Sequence, residues 1–258
     1  MSSPRVAFFD IETAPSLGWF WGKLWETSII DVKTPWYMIS FAYKWQGEDK
    51  IHVHALPDYP LFKKDRENDK SLIEDLHDLF DQADVLIAHN GDRFDIRKAN
   101  ARFITQGLRP PAPYKSIDTL KAARRFFQFE SNKLNDLGQY LGIGRKLPTT
   151  GFDLWKRCFV LDDKSAWKTM KDYNKRDIVL LEQVYEKLKP YMSNHPDLTI
   201  YEEKTGCPTC RSPNVHRRGF YTSKRRKYQQ YHCGGCGKWF SGAYIKHGDR
   251  IYDTNGHR

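Results

Sequence analysis

Asp10 and Glu12, in the stretch "VAFFDIETAP", interrupt an apolar and aromatic run that reads as a buried strand. Burying an ionised carboxylate without a partner is strongly unfavourable. Strand side chains alternate faces, so the two acids share one face and Ile11 takes the other. Their mutual repulsion is relieved by a hard divalent cation such as Mg²⁺ or Mn²⁺, although a D-x-E pair also fits a solvated strand edge. Asp95 follows the apolar stretch "DVLIAHN", in the first turn of an expected helix, where the helix dipole alone favours an acid. Asp177 resists such a reading. Tyr173, Asp177, Leu181, Val184 and Leu188 fall on one helical stripe, so a charge is set into an apolar face with a phenol one turn before it. A metal shared with the first strand would partner that acid.

A second set of ligand-type residues lies near the C-terminal end of the sequence. Cys207, Cys210, Cys233 and Cys236 form two C-x₂-C pairs, the spacing of one tetrahedral Cys₄ site for a structural Zn²⁺. Cys158 stands apart and reads as an inert packed thiol. Aromatic and basic residues alternate between the pairs in "VHRRGFYTSKRRKYQQYH", which reads as a β-hairpin with few aliphatic side chains. Such a module needs its metal to fold. Of the net charge of +10, all is segregated here: residues 204–258 hold 12 Lys or Arg and two acids, while residues 1–203 hold 30 of each. A basic surface of this kind attracts a polyanion, above all nucleic acid, with Arg217, Arg218, Lys224, Arg225, Arg226 and Lys227 as the phosphate-binding candidates. His216 and His232 would be ligands only if a cysteine were missing.

The elements that must position the acids are legible from periodicity. Residues 5–13, 37–45 and 51–56 read as strands, residues 70–82 as a helix with Leu72, Ile73, Leu76, Leu79 and Phe80 inward, and "DVLIAHN" as a short buried strand. A helix is expected from Phe94 to Gly107, an edge strand from Ser116 to Leu120, and helical patterns at 132–141, 164–171 and 173–189. Strands and helices in this order give an α/β domain, one mixed sheet flanked by helices. The organisation expected is a domain over 1–192, a linker over 193–203 and the basic cysteine module over 204–258. No apolar run reaches a membrane span and no secretory signal is evident, so the expected location is cytoplasmic (or nucleoid or nuclear), not secreted.

Three motifs together carry a resemblance. "FDIET", "HNGDRFD" and "YNKRD" stand in the order and spacing of the motifs of DEDD-type 3′–5′ exonucleases, in the subgroup with Tyr-x-x-x-Asp in the third (DEDDy). The middle motif, with Asn90 ahead of Phe94 and Asp95, is similar to proofreading domains of family B DNA polymerases. "YHCGGCGKWF" resembles the end of a zinc ribbon. The resemblance implies an RNase H-like fold over about 5–190, with Asp10, Glu12, Asp95 and Asp177 holding two Mg²⁺ or Mn²⁺ ions for in-line phosphodiester displacement. It implies that Tyr173 orients the attacking water, and that Asn90 and Phe94 line the pocket of the terminal nucleotide. Phe94 fits core packing equally well, and His89 is read as structural.

The implied reaction is hydrolysis from 3′ ends of DNA, single-stranded or frayed, with RNA possible. An exoribonuclease, a structure-selective endonuclease and a non-enzymatic binding protein stand as alternatives. Trp19, Trp21, Trp25 and Trp36 crowd one connecting segment, either to stack on bases or to pack on the sheet.

Overall fold

A computed structural model describes residues 3–22, 28–201, 205–224 and 226–245. The chain divides into two compact units, Pro4–Leu188 and a second that begins at Lys189. The first contains, in order, β1 (Val6–Thr13), β2 (Leu17–Phe20), β3 (Ile29–Thr34), β4 (Met38–Trp45), β5 (His52–Ala55), α1 (Lys70–Gln82), β6 (Val85–Ala88), α2 (Asp95–Thr105), β7 (Lys115–Asp118), α3 (Thr119–Phe126), α4 (Leu134–Tyr140), α5 (Phe152–Phe159) and α6 (Lys164–Leu188).

Five strands form one mixed sheet in the order β5-β4-β1-β6-β7. β1 runs antiparallel to β4 and parallel to β6. Both faces of β1 and β6 are covered, which is why "VAFF" and "VLIA" are apolar throughout instead of alternating. On one face Ala7, Phe9 and Ile11 join the buried stripe of α1 and the inner residues Ala99 and Phe103 of α2. On the other, Phe8 meets Tyr185 of α6 edge-on at 5.5 Å. Asp10 and Glu12 have the parity of Phe8 and so share its side of the sheet.

The expected strands and the mixed α/β architecture are present, with three differences in detail. The helical patterns at 164–171 and 173–189 are one continuous helix of 25 residues, α6. Asp172, which breaks the apolar pattern, simply faces solvent. α5 was not expected, because only Leu154 and Cys158 mark its inner face. Cys158 is fully buried, and burial pushes its thiol up to about 12, as suits an inert packing residue. The tryptophan-rich segment forms the β2–β3 hairpin, with Trp19 and Trp21 exposed. Trp36 instead lies under the Lys98 ammonium at 3.5 Å, and Trp25 lies outside the described residues.

In the second unit β8 (Val215–Thr222), β9 (Lys227–Cys233) and β10 (Trp239–Ile245) form an antiparallel sheet in the order β10-β9-β8. Residues 193–201, read from the sequence as linker, contribute to this unit. Leu198 is buried, and its N–H donates to the Pro208 carbonyl at 2.7 Å. The Lys238 ammonium donates to the Met192 carbonyl at 2.6 Å.

Candidate active site and metal centres

Carboxylate oxygens of Asp10, Glu12 and Asp177 lie within 4.8 Å of one another. β1 delivers the first two from one face, and α6 lays its apolar stripe across that face with Asp177 in it, 1 % exposed. Asp95 falls outside this trio. β6 pairs with β1 only as far as Phe8, leaving the Ile11 N–H without a strand partner, and the Asp95 carboxylate accepts it at 3.1 Å. The turn that releases the chain from β6 is tight: a Cβ on Gly91 would sit 2.5 Å from that of Ala88. Asn90 adopts a left-handed φ of 66° in the same turn.

Burial and mutual repulsion make this a poor place for negative charge alone. Burial first, then the charges of Glu12, Asp177 and Asp95, hold Asp10 well above the usual carboxylate range. Burial and Asp177 raise Glu12 to about 8. Burial raises Asp95 to about 7, against the N–H groups it accepts. Asp177 is also raised by burial, with Lys146 opposing. One Asp177 oxygen, Oδ1, is buried with no hydrogen-bond partner. An orphaned carboxylate oxygen facing two further carboxylates is a donor set of hard oxygens, which suits a divalent cation of the Mg²⁺ or Mn²⁺ kind.

Four residues that the motifs did not single out hold this arrangement. The Lys146 ammonium donates to Asp177 Oδ2 at 2.5 Å and to the Tyr173 hydroxyl at 3.0 Å. Burial disfavours that ammonium, but Asp177 and Asp10 outweigh burial and keep it protonated. Asn174 is fully buried; it accepts from Ser40 Oγ at 2.6 Å and donates to Asp10 at 3.4 Å. The Trp155 side chain hydrogen-bonds to Glu12 and stands edge-on to Tyr173 at 5.7 Å. Asp118 ends β7, accepts from the N–H groups of Leu120 and Lys121 to cap α3, and accepts from Asn90 N–H at 3.0 Å, which fixes the turn before Asp95. Asn174 lies inside the quoted third motif, three residues before Asp177, and its spacing was the available signal. Lys146 sits in an irregular segment and had none.

A cavity of about 630 Å³ is lined by Asn90, His89, Arg124, Asn132, Lys133 and by Lys146, the partner of Asp177, among others. That volume is in the range of small-ligand sites. Phe94 does not line it; its ring is 39 % exposed at the start of α2, so it is not a core residue. The His89 ring, held low at about 4 by burial, is a neutral partner of the Thr119 hydroxyl at 2.9 Å.

A family model of the RNase_H superfamily matches residues 25–189, from the hairpin through the whole of α6. The chain belongs to the RNase H superfamily. No curated protein sequence matches it. Among solved structures it is similar to the family B DNA polymerase from the hyperthermophilic archaeon Pyrobaculum calidifontis, at 16% identity and a TM-score of 0.54. The likeness covers 73% of this chain and 25% of the polymerase, so the chain spans about a quarter of that protein's length, and what the two share is a fold. The RNase H match begins after β1, so Asp10 and Glu12 are joined to Asp177 by tertiary geometry alone.

Beyond the RNase H match, Cys207, Cys210, Cys233 and Cys236 also place their sulfurs within 4.8 Å of one another. Cys207 and Cys236 are 3.7 Å apart and Cys210 and Cys233 3.6 Å. A tetrahedron with Zn–S bonds of about 2.3 Å has edges of about 3.8 Å, so the sulfurs already stand at zinc spacing. Each pair closes with a left-handed residue four positions after its first cysteine, Arg211 at φ 62° and Gly237 at φ 79°. Burial pushes the Cys233 thiol up, but the N–H groups of Cys236 and Gly235, with the Cys210 and Cys207 thiols, outweigh it and bring it to about 7, whereas burial holds Cys210 and Cys236 above the usual thiol value. Arg217, Arg218, Lys224 and Arg226 are exposed, and Lys227 lies over the Phe220 ring at 3.9 Å. Arg225 lies outside the described residues.

Proposed function

We propose that the chain is a metal-dependent 3′–5′ exonuclease of the DEDDy type that removes nucleotides from 3′ ends of DNA, with a zinc ribbon that grips the substrate. The observation that carries this reading is the convergence of Asp10, Glu12 and Asp177, with one Asp177 oxygen unpartnered and Lys146, which bonds Asp177, lining a cavity of about 630 Å³. Membership of the RNase H superfamily and the fold shared with a family B DNA polymerase support it.

In this reading Asp10, Glu12 and Asp177, with Asp95 at their border, hold two Mg²⁺ or Mn²⁺ ions. Such ions provide a water nucleophile at neutral pH and offset charge on the scissile phosphate. Burial and Asp177 hold the Tyr173 phenol above its usual value, so it stays protonated and acts as a hydrogen-bond donor, not a base. Because the Lys146 ammonium donates to the phenol oxygen, the phenol's own proton is directed elsewhere, toward Asp177 or the attacking water. Lys146 also opposes the rise that burial imposes on Asp177, favouring its ionised form. Lys146→Met is expected to lower turnover roughly 10- to 100-fold, as loss of an outer-shell partner does, and to raise the Mn²⁺ concentration needed for half-maximal rate. Lys146→Arg should restore part of both. An unchanged metal requirement would remove Lys146 from this role.

The Cys₄ group would hold one structural Zn²⁺, and the cations around it would bind phosphates. Stripping zinc with a thiol-selective reagent should abolish the β8–β10 sheet, seen by circular dichroism, and weaken DNA binding by at least about tenfold at low salt. The first unit should keep its fold, and unchanged affinity would count against the grip.

The deciding experiment is a gel comparing 3′- and 5′-labelled single- and double-stranded DNA and RNA with Mg²⁺, Mn²⁺ or neither. A metal-dependent ladder from the 3′ end of DNA is expected. A ladder confined to RNA would make it an exoribonuclease, and internal cuts an endonuclease.

A further inference from the structure

We propose that one face of the β8–β9–β10 sheet is a stacking platform for unpaired bases of single-stranded nucleic acid, an assignment that rests on the nucleic-acid reading of the second unit. The bulges of this sheet fall in β8 and β10, not in β9. Along β9, therefore, Tyr228, Gln230 and His232 share one face, and Lys227, Gln229 and Tyr231 the other. Pairing carries the first face across the sheet: His216 lies opposite His232, which lies opposite Trp239, and Tyr221 lies opposite Tyr228. The result is two aromatic rows. His232 and Trp239 have ring centres 4.9 Å apart, and Tyr221 and Tyr228 6.0 Å apart. Between the rows stand Gln230 and Ser241, neutral hydrogen-bonding groups. The rows are roughly 13 Å apart at about 3.3 Å per residue, room for more than one base.

The two faces are used differently. On the opposite face Tyr231 and Phe240 stack at 5.5 Å and are both half-buried, while the half-exposed Phe220 lies under the Lys227 ammonium at 3.9 Å. On the proposed face Trp239 is 51 % and Tyr221 52 % exposed. Rings of that size held half in water are an unsatisfied apolar surface. Charge selects the occupant. From Thr205 to Ile245 the sequence has eight Lys or Arg and no Asp or Glu, a setting that favours a polyanion over an ordinary protein surface. A polyanion that also offers flat apolar faces is a nucleic acid strand with its bases unpaired.

The test uses the full-length, zinc-loaded Asp10→Asn protein, so that the probe survives, at fixed low salt. Binding of a short oligothymidylate is compared with that of an abasic oligomer of equal length and charge. Oligothymidylate should bind more tightly, and Trp239→Ala and Tyr221→Ala should each weaken it about tenfold while leaving abasic binding unchanged. Arg217→Ala, on the opposite face, should weaken both probes equally. Retained zinc shows that a variant is folded; should Trp239→Ala lose zinc, Tyr221→Ala and Trp239→Phe decide. The proposal is overturned if both probes weaken together in Tyr221→Ala, if neither changes, or if neither oligomer binds. Hydrolysis by the unsubstituted protein is scored separately. Base preference without hydrolysis keeps the platform and removes the exonuclease, and hydrolysis with equal loss of both probes removes the platform alone.

Discussion

Asp10→Asn is expected to leave less than about one thousandth of the wild-type turnover and yet to raise the melting temperature of the protein freed of Mg²⁺ and Mn²⁺. The activity loss follows because Asn keeps the shape but removes the charge that a divalent ion requires. The stability gain follows from the electrostatics of the trio. Burial and three neighbouring carboxylates raise Asp10 well above the pKa it has in the unfolded chain. A carboxyl group raised in this way costs the folded state nothing below its unfolded value near 4, and progressively more as pH climbs toward its folded value. The substitution should therefore raise the melting point at pH 8 and barely move it at pH 4. Each 1 kcal/mol relieved is worth about 2–4 °C in a domain of this size. Asp177→Asn should behave in the opposite way, because the Lys146 ammonium would lose its 2.5 Å partner. Equal destabilisation by both substitutions would show that the acids are held by something other than mutual repulsion awaiting a cation.

Mn²⁺ is expected to stabilise the zinc-loaded protein strongly at pH 8 and weakly at pH 6. An ion at one hundred times its dissociation constant adds about 2.7 kcal/mol, roughly 5–10 °C here. Glu12, raised to about 8, and Asp95, raised to about 7, are largely protonated at pH 6 in the metal-free protein, and burial and its acidic neighbours raise Asp10 in the same direction. An arriving cation must displace those protons, and each one displaced weakens binding tenfold per pH unit below its pKa. Thermal melts with and without Mn²⁺ across this interval measure the effect, and the Asp10→Asn protein should show little of it. A Mn²⁺ shift that is the same at pH 6 and pH 8 would place the ion elsewhere.

The sheet and its main helices were legible because burial leaves a period in the sequence. The stripe of α1, the unbroken apolar runs of β1 and β6 and the parity of Asp10 with Glu12 all follow from which side of an element faces the interior. Asp177 stood out because it breaks such a stripe, and the cysteines because two tight turns bring each C-x₂-C pair together locally. The helix α6 was divided in two only because solvent-facing Asp172 looks like an interruption until the neighbouring elements are in place.

The sequence by itself thus singled out the candidate site residues: the acids on β1, α2 and α6, the phenol, and the four sulfurs. Only the tertiary structure decided how they are held. It drew Asp10, Glu12 and Asp177 together and left Asp95 beside them, bonded to the Ile11 N–H that the end of β6 leaves free. It brought Lys146, 31 residues away in the chain, onto Asp177, and Asn174 between Ser40 and Asp10. It also left Trp239 and Tyr221 half in water on one face of the second unit's sheet and stacked Tyr231 on Phe240 on the other. The reason is physical: a local pattern records which face of an element is buried, whereas contacts made by loops and across strands exist only once distant segments close on one another.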